Sequence, residues 1–187
     1  MNNDPRSFKD DYEYSEKNSN SVEVKQLYEK KLNAKIIERE KIVDKKQQKS
    51  GYDVILKLDD GRVLTIEEKF RQTFYPDILL EINHIFGKKK KIGWLYKSQS
   101  EILAYFQHKN NGLMLTLWKL KELASWSKSK EFLELLNKET IKEKWSSTKE
   151  GDVFWKTKNY GVPFYVLKNK GFEYKKNNGN ELPLEFY

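Results

Sequence analysis

Asp53, Glu67 and Lys69 are the residues of this chain whose types and spacing suit joint chemistry, and all lie in the stretch GYDVILKLDDGRVLTIEEKFR, Gly51 to Arg71. Two apolar runs flank Asp59-Asp60-Gly61, which predicts an antiparallel hairpin. A loop of Asp60-Gly61 alone would set Val54 and Leu56 against Glu67 and Thr65, a poor pairing. A three-residue loop with Gly61 in the left-handed position sets Leu58 against Arg62, Leu56 against Leu64 and Val54 against Ile66, so the apolar set shares one side. That register also puts Asp53 opposite Glu67 and projects Lys69 from the same polar face. Charges beside a core are costly to desolvate, and a bound divalent cation removes that cost. Two carboxylates a few ångström apart supply hard oxygen ligands for Mg²⁺, which usually takes only one or two of them and keeps waters and phosphate oxygens. A lysine beside them can position or help deprotonate a water, or neutralise charge developing on a phosphate. The chemistry implied is phosphodiester hydrolysis.

These residues resemble the PD-(D/E)xK nuclease superfamily, whose core hairpin carries an aspartate at the start of one strand and Glu-x-Lys on the next. The matching residues are Asp53 and Glu67-Glu68-Lys69, and the resemblance covers roughly Val22 to Phe106. Tyr52 stands where the family name has proline, a position without chemistry, and Glu68 stands at the middle position, where the residue is often apolar. In the three-residue-loop register Glu68 falls on the apolar face with Tyr52, and its partner there would be a basic side chain. The resemblance implies a restriction-endonuclease-like core and a DNA endonuclease. Asp53 and Glu67 would bind Mg²⁺, with Mn²⁺ able to substitute, and Lys69 would assist the water. Arg71, two residues further on the same face, would contact the scissile phosphate. One more acid on the first helix is implied as well; Glu23 and Glu29 both qualify, and the choice between them stays open. Many enzymes of this type are dimers, so a homodimer is compatible with the reading.

The composition agrees with a polyanionic partner. The chain has 187 residues, one domain of ordinary size, with 36 Lys+Arg against 28 Asp+Glu and a net charge of +8. Cysteine is absent, which excludes disulfides and thiolate zinc sites. The two histidines, His84 and His108, are far apart and give no framework for a His-based zinc site or a Ser-His-Asp triad. No segment approaches the roughly 18 to 20 apolar residues of a membrane span, and Met1 to Asn20 lacks the apolar core of a signal peptide. A cytoplasmic, intracellular protein without a membrane partner is expected.

The elements follow from periodicity. Residues 1–20, rich in Asn, Asp, Ser and Lys, are expected to form a flexible arm, and residues 21–187 a single nuclease-like domain. Val24, Leu27, Tyr28 and Leu32 make a helical stripe with Ser21 as N-cap. Ala34 to Val43 is strand-like, and Asp44 to Ser50 is a polar connection. After the break at Tyr75-Pro76, Asp77 to Ile82 alternates as a strand. If that strand lies beside the one carrying Glu67 and Lys69, Glu81 becomes a third metal ligand or an acid behind the ligands. Lys88, Lys89, Lys90 and Lys91 form a basic loop, and with Lys97 beside Trp94 and Tyr96 they suit phosphate contact and stacking. Glu101 to Gln107 and Leu113 to Leu117 read as strands, Thr116 to Ser127 and Ser129 to Asn137 as helices. Trp118 and Trp126 are expected in the core. Thr140 to Asn159 is basic and aromatic, and a last strand, Val162 to Leu167, is expected after a Tyr160-Gly161 turn.

The fold class expected is therefore α/β: a central mixed sheet flanked by helices, with helical and strand additions toward the C-terminus. The function expected is a Mg²⁺-dependent deoxyribonuclease. A catalytically inactive nucleic-acid-binding module of the same fold is the alternative, and a protein-interaction domain with a solvated acid-lysine face is a third reading. Target choice, whether restriction, junction resolution, repair or a phage role, lives in loops that the catalytic hairpin does not determine.

Overall fold

The computed structural model describes residues 6–42, 51–110, 112–150 and 153–175. In chain order β1 (Arg6–Ser7), α1 (Phe8–Ser19) and α2 (Val22–Leu32) precede the meander β2 (Ile36–Lys41), β3 (Val54–Leu58) and β4 (Val63–Arg71). There follow β5 (Asp77–Phe86), β6 (Lys89–Ile92), α3 (Trp94–Lys97), β7 (Ile102–Lys109) and β8 (Gly112–Lys119). The remainder is α4 (Leu120–Trp126), α5 (Lys130–Asn137), β9 (Lys142–Glu150), β10 (Val153–Pro163) and α6 (Phe164–Asn169).

The hairpin has the three-residue loop. Val54 pairs with Ile66 and Leu56 with Leu64, the Leu58 amide donates to the Arg62 carbonyl at 2.9 Å, and Gly61 takes φ +86°. Only a residue without Cβ adopts that angle cheaply. Val54, Leu56, Leu58, Leu64 and Ile66 consequently lie on one face, buried beneath Val24, Tyr28 and Leu32 of α2. Ser21 caps α2 by accepting the Val24 amide at 3.2 Å.

Two five-stranded sheets result, ordered β2-β3-β4-β7-β8 and β1-β9-β10-β5-β6. The first is mixed: β7 runs parallel to β4, and the other neighbours are antiparallel. Helix α2 covers one face of it. On its other face Leu103, Tyr105 and Trp118 join Ile78, Leu80 and Val162 of the second sheet in a core that α4, α5 and α6 complete with Leu123, Phe132 and Leu167. The class is mixed α/β with a mixed sheet and flanking helices, and both Trp118 and Trp126 are core residues. Among the described residues no helix is long and apolar enough to cross a membrane.

Several expectations are corrected. The segment expected as a flexible arm carries α1, held by a salt bridge from Glu16 to Lys41 at 2.7 Å and by Ser19 bonding to Glu68 at 2.6 Å. Strand β5 does not lie beside β4; it belongs to the second sheet, and β7 takes that place. Of the lysine run, Lys89 to Lys91 form a strand rather than a loop and Lys88 sits in the turn before it, with β6 turning back on β5 so that Lys89 pairs with Phe86 and Lys91 with His84. Thr116 to Lys119 continue β8, and the helix begins only at Leu120. Tyr160-Gly161 is no turn. Both residues sit inside β10, paired on each side with β5 and β9, and Phe164 to Asn169 form a helix where a strand was expected. Of the polar connection Asp44 to Ser50, all lies outside the described residues.

Candidate active site

Strand β4 outruns β3, and the site lies where the two part. Beyond Ile66, β4 keeps only β7 as a ladder partner, from Glu67 beside Leu103 to Arg71 beside Gln107. Asp53 takes over for the missing strand: its amide donates to the Ile66 carbonyl at 2.9 Å, and its Oδ2 accepts the Glu68 amide at 2.9 Å. The approach to Asp53 is fixed as well. The Gly51 carbonyl accepts the Ser98 hydroxyl at 2.6 Å and the Gln99 amide at 2.8 Å. Gly51 has φ +79°, and a Cβ there would stand 2.9 Å from both the Gln99 nitrogen and the Lys97 carbonyl oxygen. The chain behind α3 thus grips the start of β3 through a glycine.

Asp53, Glu67 and Lys69 converge as the hairpin register predicts. The Lys69 Nζ lies 2.5 Å from Glu67 Oε1 and 3.8 Å from Asp53 Oδ2. Glu67 is buried at 6% exposure. Burial raises its pKa above the ordinary 4.5 and Asp53 adds to the rise, while Lys69 and the Ser98 hydroxyl pull it down. Lys69 has the opposite balance. Burial alone would lower its pKa, but Glu67, Asp53 and, more distantly, Glu81 outweigh that and raise it, so Lys69 stands as an ammonium.

Strand parity sends Glu68 the other way. Its carboxylate lies among α1, α2 and β2, where Oε2 accepts the Ser19 hydroxyl at 2.6 Å and Oε1 accepts the Tyr28 hydroxyl at 2.8 Å and Arg39 Nη2 at 3.0 Å. Arg39 is the basic partner that the apolar-face position of Glu68 called for. The sequence did not place Ser19, Tyr28 or Arg39 beside Glu68, because each is brought there by tertiary packing alone.

Glu81 stands apart from the acid pair. Its Oε1 accepts the Trp94 amide at 3.0 Å and contacts His84 Nε2 at 2.8 Å. Burial would raise its pKa, but His84, Lys69 and the Trp94 amide together hold it below the ordinary value. It reaches the site through its field on Lys69, from a strand of the second sheet. Among the described residues no three His, Asp or Glu side chains come together as a metal cluster. The first-helix acids lie elsewhere: Glu23 accepts the Leu113 amide at 2.9 Å, and Glu29 accepts the Ile36 amide at 3.1 Å and pairs with Lys35.

Of Asp53, Glu67 and Lys69, the lysine lines a cleft of about 1390 Å³ between the two sheets, and the two carboxylates stand behind it. Lys69, Arg71, Lys91, Lys97 and Lys144 line it against the carboxylate of Glu81. Arg71 is engaged within it, bonded to Asp77 Oδ1 at 3.2 Å with its guanidinium 4.2 Å from the centre of the Tyr75 ring. Lys144 holds the other oxygen of the same carboxylate, Asp77 Oδ2, at 2.5 Å. One negative charge therefore faces two positive ones. Lys89 and Lys90 are exposed on β6, and Lys88 is exposed in the turn before it.

Comparison with protein-family models, with curated proteins and with solved structures gave no match.

Proposed function

We propose that the chain is a metal-dependent DNA endonuclease with a restriction-endonuclease-like core. The observation that carries this reading is the convergence of Asp53, Glu67 and Lys69 at one end of a hairpin, beside a cleft to which Lys69, Arg71, Lys91, Lys97 and Lys144 contribute positive charge. The helix α2, the three-stranded meander and the parallel partner β7 form the frame around that hairpin.

The donor set fits Mg²⁺ or Mn²⁺. Asp53 spends Oδ2 on the Glu68 amide and has Oδ1 in reserve, and Glu67 is a buried carboxylate whose ionisation a cation would favour. Bound there, the metal would supply a Lewis acid for the phosphate and a lowered pKa for a water. Hydrolysis adds the water oxygen to phosphorus, breaks one P–O ester bond, and leaves a proton on the departing oxygen. Lys69, raised in pKa, acts in this scheme as a positive charge that orients the water or meets charge developing on the phosphate, and not as a proton acceptor. Arg71 and the cleft lysines hold the backbone.

The alternative is a nucleic-acid-binding module without catalysis. In its favour, Lys69 already offsets one of the two carboxylate charges by its direct contact with Glu67. Incubation of the protein with supercoiled plasmid and branched DNA, with Mg²⁺, with Mn²⁺ and with chelator, separates the two. Metal-dependent cutting is expected; binding with no cutting of any substrate in either metal would leave the inactive module.

A further inference from the structure

The cleft carries more than a phosphate backbone needs. Tyr12, Tyr75, Trp94, Trp145 and Trp155 line it among the cations. Trp145 is 51% exposed and Ile92, also in the lining, is 63% exposed. Exposed apolar side chains gathered with other rings in one cleft fit a binding surface. Each of three rings has a cation beside it: Arg71 on Tyr75, Lys69 at 5.4 Å from Trp94, and Lys158 at 5.9 Å from Trp145. The Trp145 indole N–H is taken by Glu143 Oε1 at 2.9 Å, which fixes the ring as a platform on β9.

From this pairing of rings with cations we infer that the cleft takes an unpaired DNA strand, either free or as the splayed arm of a branch, and that this strand is what the hairpin site cuts. An aromatic ring can stack only on a base whose face is open, and in a continuous duplex both faces are covered by neighbouring pairs. Stacking platforms beside backbone cations are the means by which proteins hold single strands without reading their sequence. Lys69 is held by Glu67, and Arg71 and Lys144 share Asp77, so the positive charge offered to that strand comes from Lys91, Lys97 and the Arg71–Lys144 pair. Bases rest on Trp145 and Tyr75, and phosphates turn toward Arg71, Lys91, Lys97 and Lys144. As to cutting, the inference rests on the nuclease reading; as to binding, it does not.

The test uses the whole chain in chelator, so that nothing is cut, with fluorescent oligothymidylate, a blunt duplex of equal length and a splayed fork as probes. Oligothymidylate and fork are expected to bind more tightly than the duplex and to quench tryptophan emission. Trp145→Ala is expected to weaken binding of oligothymidylate about tenfold or more, the scale of one lost stacked base, and to leave duplex binding unchanged. Trp145→Phe, which keeps a ring, is expected to retain most of the affinity. Duplex binding equal to or tighter than single-strand binding overturns the inference, as does an unchanged oligothymidylate affinity in Trp145→Ala. Addition of Mg²⁺ then separates the two readings. If duplex is cut and single strands are spared, the inference falls and the nuclease stands. If the strand is bound through Trp145 and no substrate is cut in any divalent metal, the nuclease falls and the cleft assignment stands.

Discussion

At the scale of single residues, the two adjacent glutamates separate chemistry from stability. Glu67 faces Lys69 and Asp53, whereas Glu68 faces Arg39 and Tyr28. Glu67→Gln is expected to remove Mn²⁺ binding and cutting with little loss of fold, and Glu68→Gln to lower stability while the remaining folded protein keeps activity. Calorimetric Mn²⁺ titration and urea unfolding of both variants check this, and an active Glu67→Gln sinks the assignment. For Asp53 the informative change is Asp53→Asn, which keeps an oxygen for the Glu68 amide and removes the charge; Asp53→Ala would also orphan that amide, at about 1 to 3 kcal/mol. The sign of the pH dependence follows from Glu67. Its folded pKa lies above the ordinary 4.5, so between those values the metal-free folded state binds more protons than the unfolded one. The stability that goes with this extra proton declines as pH rises through the window. Metal requires the ionised form, so Mn²⁺ affinity is expected to weaken as pH falls through the same window, at a higher pH than an ordinary glutamate would give.

At the scale of elements, the Glu68 cluster joins α1, α2 and β2 to the strand that carries the site. Arg39→Ala removes the cation from a carboxylate that is 8% exposed, and is expected to cost about 3 kcal/mol, the lower end for breaking a buried pair, because Ser19 and Tyr28 still donate to it. A midpoint of urea unfolding within error of wild type would refute that. The hairpin and its register were legible in the sequence because an Asp-Gly turn and alternating apolar residues are local signals, and only one loop length satisfied both. Helix α2 was legible for the same reason. Helix α1 was not: its composition is polar, and what holds it are the distant partners Lys41 and Glu68. Nor does alternation along Asp77 to Phe86 say which sheet the strand joins; the position beside β4 went to β7, fifteen or more residues further along the chain. The Tyr160-Gly161 pair carried a turn signal that pairing on both sides of β10 overrode.

At the scale of the whole molecule, catalysis and affinity fall on separate regions and are expected to fail separately. Lys69 sits between two carboxylates at the end of β4, whereas Lys88, Lys89, Lys90 and Lys91 lie on the exposed β5–β6 hairpin, with Lys91 reaching the cleft. Lysines on an edge strand also keep it from pairing with another chain, a purely structural reason for their presence. Salt distinguishes the two roles. A lysine that displaces counterions from DNA contributes to the slope of log affinity against log salt, up to about 0.9 for each duplex phosphate contact and about 0.7 for a single strand. A lysine that only guards an edge contributes nothing to it. Replacing all four by serine is therefore expected to weaken binding to any sequence and to flatten the salt slope, while single-turnover cutting at saturating protein stays near wild type. Lys69→Gln is expected to do the reverse, keeping affinity and slope and losing cutting by on the order of 10² or more, since its contribution is made in the chemical step. A four-serine variant with an unaltered slope and a raised tendency to aggregate would assign the run to edge protection, and would leave Arg71, Lys97 and Lys144 as the cations that hold the strand.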